Sequence, residues 1–210
     1  MTSTPRRETA IAVFAKAPVA GTVKTRLAEV LGADAAASLH AGLVRHAVAT
    51  AVQARIGPVQ LRCLPDINHP FFERCREESG VALEPQRGAD LGARMLDTFT
   101  STAGPLIVIG ADCPALTEAH LREAAVTLES KDAVLIPAED GGYVLVGLAR
   151  PIPAMFEGVA WGSSAVMAQT REKLAAAKVD WCEMPALWDV DRPEDYARLQ
   201  REGLLGEVLS

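Results

Sequence analysis

Leu106-Ile107-Val108-Ile109-Gly110-Ala111-Asp112-Cys113-Pro114 is the stretch on which the reading of this chain turns. Gly104-Pro105 opens the apolar run and Gly110 closes it, which gives the run the length of a strand. Every position of the run is apolar, rather than every second one, as a strand covered on both faces requires. Asp112 follows just past the carboxyl end of that strand. A carboxylate there is placed to hold Mg²⁺, which takes one or two carboxylates and completes its shell with phosphate oxygens and water. Gly-x-Asp-x-Pro is also good turn chemistry, so Asp112 has a plainer reading as a turn former.

Outward from this stretch the same pattern repeats. Ile11–Ala15 and Val59–Leu64 upstream, and Ala133–Ile136 and Tyr143–Val146 downstream, read as further strands, with a last one between Val179 and Leu187. Helical spacing falls between them. Asp34 is the expected cap of a helix over Ala35–Arg55, Asp90 of Leu91–Thr100 and Thr117 of Glu118–Leu128. Ser163 or Ser164 opens a helix to about Ala177, and Pro193 starts one that runs to Glu202 and stops at Gly203. Strands alternating with helices predict an α/β fold, a three-layer α/β/α sandwich around a mainly parallel sheet. In such sheets ligands sit outside the carboxyl ends of the strands, near the point where strand order reverses.

The chain has 210 residues, 49% hydrophobic and 23% charged, with a formal net charge of −6. That length predicts one domain over 1–210, with a core that needs no disulfide or structural metal. Collagen, coiled coil and disorder are excluded on composition. The negative balance argues against nucleic acid held by bulk charge. Cys63, Cys75, Cys113 and Cys182 form no C-x-x-C pair and read as free buried thiols in a reducing compartment. His40, His46, His69 and His120 lack metal-ligand spacing and read as structural or surface residues. Met1–Glu8 is polar, with Arg6 and Arg7, and Thr9–Ala15 is too short to span a membrane. Lys16 follows it rather than a cleavage site, so the expectation is a cytoplasmic protein without a membrane partner.

Each cluster able to carry chemistry follows a predicted strand. The first is Phe14-Ala15-Lys16-Ala17-Pro18-Val19-Ala20-Gly21-Thr22-Val23-Lys24-Thr25-Arg26-Leu27. Three cations, Lys16, Lys24 and Arg26, fall in one strand-end loop and the start of the next helix, where backbone N–H groups also favour phosphate. A solvated basic turn is the plainer alternative. The cluster is neither a Walker-A loop nor G-x-G-x-x-G, and no G-x-S-x-G occurs in the chain. In Gln86-Arg87-Gly88-Ala89-Asp90-Leu91-Gly92-Ala93-Arg94-Met95 the glycines would let backbone approach a base or ribose, and Arg94 would meet a phosphate or an acceptor carboxylate. An ordinary helix cap explains the same residues. In Pro137-Ala138-Glu139-Asp140-Gly141-Gly142-Tyr143 a tight turn competes with a ligand-lining role. In Trp188-Asp189-Val190-Asp191-Arg192-Pro193-Glu194-Asp195, alternation puts Asp189 and Asp191 on one side of an extended segment. Either is placed to meet Asp112 across a metal, while Glu194 and Asp195 suit the first turn of a helix. Trp161 is a loop aromatic that packs on the core or on an acceptor.

In this order, F-A-K-A-P-V-A-G-T-V-K-T-R-L, Q-R-G-A-D-L-G-A-R-M, I-G-A-D-C-P-A-L, P-A-E-D-G-G-Y-V-L-V-G-L and W-D-V-D-R-P-E-D-Y resemble a family of small bacterial GT-A-fold proteins. These are named as glycosyltransferases or as nucleotide-diphospho-sugar-transferase-like proteins, and some accompany radical-enzyme or arsenosugar gene clusters. The family is similar to phospholactate guanylyltransferase and, more distantly, to molybdenum-cofactor guanylyltransferase and sugar-acid cytidylyltransferases. The resemblance runs from about Ala10 to Leu199 and implies a single GT-A-like, nucleotide-dependent transferase domain with a mixed, mainly parallel sheet. It implies nucleotide contacts from Ala15, Lys16, Lys24, Arg26, Gly88, Leu91 and Gly92. Lys24, Arg26 and Asp112 are the implied catalytic groups, with Asp112 and Asp191 holding Mg²⁺ or Mn²⁺. Arg94, Asp140, Gly141, Gly142 and Trp161 are expected on the acceptor side. Ala111-Asp112-Cys113 carries one acid where sugar-nucleotide glycosyltransferases have D-x-D, which favours nucleotidyl transfer from a nucleoside triphosphate to a small phosphorylated or hydroxylated acceptor. Glycosyl transfer from a nucleotide sugar, or nucleotide binding without turnover, are the alternatives. The oligomeric state is not readable, a homodimer being one option.

Overall fold

Along the central strands, apolar residues are dealt alternately to two cores. In the computed structural model, which describes residues 8–209, Ile11 and Val13 of strand β1 (Ala10–Lys16) face one core and Ala10 and Ala12 the other. Strand β4 (Leu106–Gly110) divides in the same way, Ile107 and Ile109 against Leu106 and Val108. This period-2 division explains why the strands read as continuous apolar runs. The polar opening Met1–Arg7, read above as free of a targeting signal, lies outside the described residues.

Between and beyond these come β2 (Val59–Leu64), β3 (Ala82–Pro85), β5 (Ala133–Pro137), β6 (Tyr143–Leu148) and β7 (Trp181–Glu183). They form one sheet in the order β3-β2-β1-β4-β6-β5-β7. Only β6 runs against its neighbours, pairing antiparallel with both β4 and β5. The sheet is therefore mixed and mainly parallel, as expected. Strand order reverses between β1 and β4, which places the carboxyl ends of those two strands at the switch point.

The first core is covered by α2 (Ala33–Ala54), α3 (Pro70–Ser79) and α5 (Glu118–Thr127). The second lies under α4 (Leu91–Ser101) and α6 (Val166–Ala176). A third, smaller cluster joins Leu27 of α1 (Thr25–Leu31) and Leu43 of α2 to Trp188 and Val190, to Leu199 of α7 (Pro193–Arg201) and to Val208 of α8 (Leu205–Leu209). That cluster holds the C-terminal segment against the opening of α1. No helix among the described residues is long and apolar enough to cross a membrane.

Several local expectations change. Asp34 does not cap α2; Gly32 does, and Asp34 falls in the first turn, where a carboxylate still suits the dipole. Helix α3 escaped sequence reading because it is short and half charged, with only Phe71, Phe72 and Cys75 buried; His69 caps it, its Nδ1 accepting from the Phe71 N–H at 3.2 Å. Helix α6 begins at Val166, after a turn in which the Ser163 hydroxyl accepts from the Ala165 N–H. Asp90 caps α4 as expected, accepting from the Ala93 N–H at 2.8 Å. Three of the cysteines are buried, but Cys182 on the outermost strand is half-buried.

Candidate active site

The loop after β1 turns at Gly21 and enters α1 through Lys24, which adopts a left-handed backbone with φ 49°. A side chain with a Cβ takes that conformation at a cost, so something else must hold it. The Lys24 side chain is 4% exposed; its Nζ donates to the Val190 carbonyl at 2.6 Å and meets Asp112 Oδ1 at 2.6 Å. One ammonium thus joins the first loop, the loop after β4 and the C-terminal segment. The backbone reinforces the join, since the Val190 N–H donates to the Asp112 carbonyl at 2.8 Å.

His40 of α2 closes the same group. Its Nε2 lies 3.0 Å from the Lys16 carbonyl and must donate there, because a carbonyl only accepts. Its Nδ1 is 3.7 Å from Asp112 Oδ1. Burial alone would raise the Asp112 pKa, but Lys24 and then His40 outweigh it and hold the carboxyl well below the usual carboxylate range. Oδ1 is enclosed, yet the Asp112 side chain is 45% exposed, so the rest of the carboxylate faces the cleft.

That cleft encloses about 520 Å³ over the ends of β1 and β4. Ala15, Lys16, Lys24, Arg26, Leu91 and Asp112 all line it, as does Asp191. Arg94 lines it as well. Arg26, 61% exposed, pairs with Asp191 across the cleft. Asp112 and Asp191 therefore border one space, but each already has a cation. Gly88 and Gly92 do not line this cleft. Gly92 lies under Trp161, and a Cβ there would run into the indole.

A second cavity of about 380 Å³ continues past Asp112 and Arg26. Trp161 forms one wall, edge-on to Tyr143 and stacked on Phe156. Asp140, Gly142, Ser163 and Asp189 also border it. Gly141 does not; with φ 96° it makes the turn between β5 and β6 and rests against the Ser164 backbone. Asp140 stabilises that turn, its Oδ1 accepting from the Gly142 N–H at 2.9 Å. Burial, followed by the charges of Asp140 and Asp112, pushes the Asp189 carboxyl up to about 6. Burial also lifts the Cys113 thiol to about 12, which removes it as a nucleophile at neutral pH.

Two participants, His40 and Gln86, escape sequence reading as parts of the site. His40 was read as structural; its signal was a position on the buried stripe of α2, four residues from both Ala36 and Val44. Asp189, the alternative to Asp191 as a metal ligand, differs from it in having no ion pair among the described residues and a carboxyl that burial pushes up. Gln86 ties the strand ends together, its amide nitrogen donating to the Ala15 and Arg62 carbonyls at 3.2 and 2.8 Å.

Residues 47–163 match the family described as "Uncharacterized protein conserved in bacteria (DUF2064)". The chain belongs to that family. The DUF2064 segment carries Asp112, Asp140 and Trp161, while Lys24, Arg26, Asp189 and Asp191 flank it. No curated protein matches this DUF2064 chain. Among solved structures it is similar to a candidate nucleotide-diphospho-sugar transferase from Desulfovibrio desulfuricans G20, at 28% identity and a TM-score of 0.80 over 95% of this chain and 97% of the other. The fold is also that of 4-diphosphocytidyl-2C-methyl-D-erythritol synthase from Anaerococcus prevotii DSM 20548, at 12% identity and a TM-score of 0.61 over 92% and 97%. It is shared too with a Mycobacterium tuberculosis H37Rv protein in complex with manganese, at 17% identity and a TM-score of 0.52 over 93% and 99%. The DUF2064 chain therefore has the α/β architecture of nucleotide-diphospho-sugar transferases.

Proposed function

We propose that this protein is a metal-dependent, nucleotide-utilising transferase, and that it transfers a nucleotidyl group from a nucleoside triphosphate to a small hydroxylated or phosphorylated acceptor. The observation that carries this reading is the cationic cleft at the switch point, lined by Lys16, Arg26 and Arg94 together with Asp112. The solved structures with the same fold and nucleotide-related names support it.

The donor set fits a hard divalent cation. Among the described residues no three metal-ligating side chains form a cage. Mg²⁺ or Mn²⁺ completed by phosphate oxygens and water needs only one or two carboxylates. Asp112 supplies a cleft-facing oxygen. Asp191 would join it once phosphates draw Arg26 away, and Asp189, which has no ion pair among the described residues, is the other acid in reach of the cleft. A bound cation would supply charge neutralisation at the phosphates.

The remaining steps belong to side chains. The acceptor oxygen, already ionised in a phosphate and otherwise releasing its proton to solvent, attacks the α-phosphorus, and the bond to the bridging oxygen breaks with its electron pair leaving on pyrophosphate. Arg26, Lys16 and Arg94 stabilise that charge through charge-assisted hydrogen bonds. Trp161 and the Asp140 turn confine the acceptor, so much of the acceleration comes from positioning.

Glycosyl transfer is the second reading, favoured by the name of the Desulfovibrio structure. One experiment separates them. A ligand that binds the native state raises apparent stability by RT ln(1 + [L]/Kd), so thermal shifts rank affinities. We expect a nucleoside triphosphate with Mg²⁺ to stabilise the protein more than any nucleotide sugar at equal concentration, and turnover to release pyrophosphate. A larger shift with a nucleotide sugar, and release of nucleoside diphosphate, establishes glycosyl transfer instead. No shift with any nucleotide overturns both.

A further inference from the structure

Lys24 looks from sequence like a phosphate-binding cation, yet its surroundings describe a different task. Its ammonium has three donors. One goes to the Val190 carbonyl at 2.6 Å and one to Asp112 Oδ1 at 2.6 Å, on a side chain 4% exposed. By contrast Arg26, two residues on, is 61% exposed and pairs only with the exposed carboxylate of Asp191. The two cations differ in what they can give up. With its side chain 4% exposed, Lys24 could follow a phosphate only by turning outward, away from the enclosed Asp112 oxygen and the Val190 carbonyl, whereas Arg26 exchanges one exposed anion for another.

We infer that Lys24 is a positioning residue, an internal counter-ion that holds one oxygen of Asp112 and ties the Val190 segment to it, and is not a ligand of the nucleotide's phosphates. Three further observations agree. Lys24 keeps a left-handed backbone that its own two long-range bonds pin in place. His40, anchored through Nε2 on the Lys16 carbonyl, encloses the same Oδ1 with its Nδ1 3.7 Å away, beyond hydrogen-bond reach, which leaves Lys24 as the charge partner of that oxygen. The Val190 N–H returns to the Asp112 carbonyl, so Lys24 closes a ring of contacts that also includes backbone. The carboxylate is thereby turned with its other oxygen to the cleft. Phosphate binding is left to Lys16, Arg26 and Arg94. The inference rests on the phosphate-site reading of the cleft only in its second half; the coupling of Lys24 to Asp112 stands apart from any ligand.

The test uses the full chain with Lys24→Met, Asp112→Asn, the double variant and Arg26→Ala. Melting midpoints are measured without ligand. Lys24→Met leaves a carboxylate unpaired, so it lowers the midpoint, and adding Asp112→Asn restores most of the loss; strictly additive effects overturn the inference. Binding of pyrophosphate and tripolyphosphate is then measured by calorimetry without metal. Arg26→Ala weakens tripolyphosphate about tenfold or more, and less for pyrophosphate, whereas Lys24→Met stays within about threefold for both. A Lys24→Met loss that grows with chain length as that of Arg26→Ala does makes Lys24 a phosphate ligand and overturns the inference. Lys24→Gln, which keeps a donor without charge, carries the comparison where Lys24→Met does not fold. Finally, free Mn²⁺ is followed by its magnetic resonance signal in the presence of pyrophosphate. Lys24→Met changes Mn²⁺ affinity by about fivefold in the wild-type background and by less than about twofold on Asp112→Asn, because it acts through that carboxylate. An equal effect on both backgrounds overturns the inference. Should the wild-type protein bind neither polyphosphate with or without Mn²⁺, the proposed function fails and the ligand-free melting cycle alone decides the role of Lys24.

Discussion

Among the described residues, Lys16 and Arg94, on the side of the cleft that opens over β1, have no carboxylate partner, and Asp140 and Asp189, on the side bounded by Trp161, have no cation. Between them stand two ion pairs, Lys24 with Asp112 and Arg26 with Asp191. One cavity is thus divided into a half that attracts anions and a half that repels them. Unpaired charges of this kind cost stability in the ligand-free protein, and an enzyme retains them where a ligand will meet them. Asp112 and Asp189 show the difference at single residues. Both border the second cavity. Asp112, paired with Lys24, has its carboxyl pulled down, while Asp189, with acids as neighbours, has its own pushed up to about 6.

The largest effect should come from the carboxylate at the boundary. Asp112→Asn is expected to reduce pyrophosphate release by about 10²–10³-fold, the scale seen when one preorganised electrostatic group is lost. Asp140→Asn, on the acidic side, should raise the acceptor KM and leave nucleotide affinity alone. Equal losses from the two variants in a steady-state assay would erase the distinction between the halves.

Next in size is Arg26→Ala. It should weaken triphosphate about tenfold, since a charge-assisted hydrogen bond contributes about 1.5–3 kcal/mol. The melting midpoint should barely move, because the Arg26–Asp191 pair is exposed and such pairs contribute about 0–1 kcal/mol. Calorimetry and a thermal melt on one preparation check both statements.

Gly92→Ala addresses the wall of the second half. A methyl there meets the Trp161 indole. Overpacking costs about 1–3 kcal/mol, partly offset by the roughly 1 kcal/mol that alanine gains over glycine in a helix. A fall in the melting midpoint of a few degrees, about 2–4 °C per kcal/mol, is expected, with a weaker acceptor and an unchanged nucleotide Kd. An unchanged midpoint would show that Trp161 is free to move.

The smallest effect is a pH dependence, and its sign differs between the two aspartates. The folded state binds the Asp189 proton more tightly than the unfolded chain does, so this residue lowers stability as pH rises from about 4 to 6. Asp189→Asn should therefore raise the midpoint above pH 6 and make no difference below about pH 4. Asp112 works in the opposite sense. Its contribution is present above the unfolded carboxylate range and is lost as pH falls below about 4, through the lowered folded value. Melting curves across pH for the wild type and both asparagine variants would show these opposite slopes. Parallel slopes would mean that the two carboxylates share one environment.

Much of the fold was legible because it rests on local pattern. The run at Leu106–Ile109 announced a doubly covered strand, and Asp90 announced its helix, since strand burial and capping depend on residues near in sequence. Helix α3 was not legible, because its few buried residues sit in a charged segment whose burial depends on β2 and the neighbouring α2. The first loop was recognisable as cationic, but not which cation was free. That Lys24 is committed to Asp112 and Val190 while Arg26 stays exposed follows from contacts spanning 88 and 166 positions of the chain, which no local pattern records.

By itself, then, the sequence determined the α/β layering, through period-2 and helical burial, and the placing of charged clusters after strands. Tertiary structure alone decided which charges face one another. It put His40 beside Asp112, gave Asp191 a cation and Asp189 none among the described residues, and set Trp161 over Gly92. The physical reason is that ionisation, pairing and steric fit depend on distances of a few ångströms between segments that the chain brings together only when the sheet closes its order around β1 and β4.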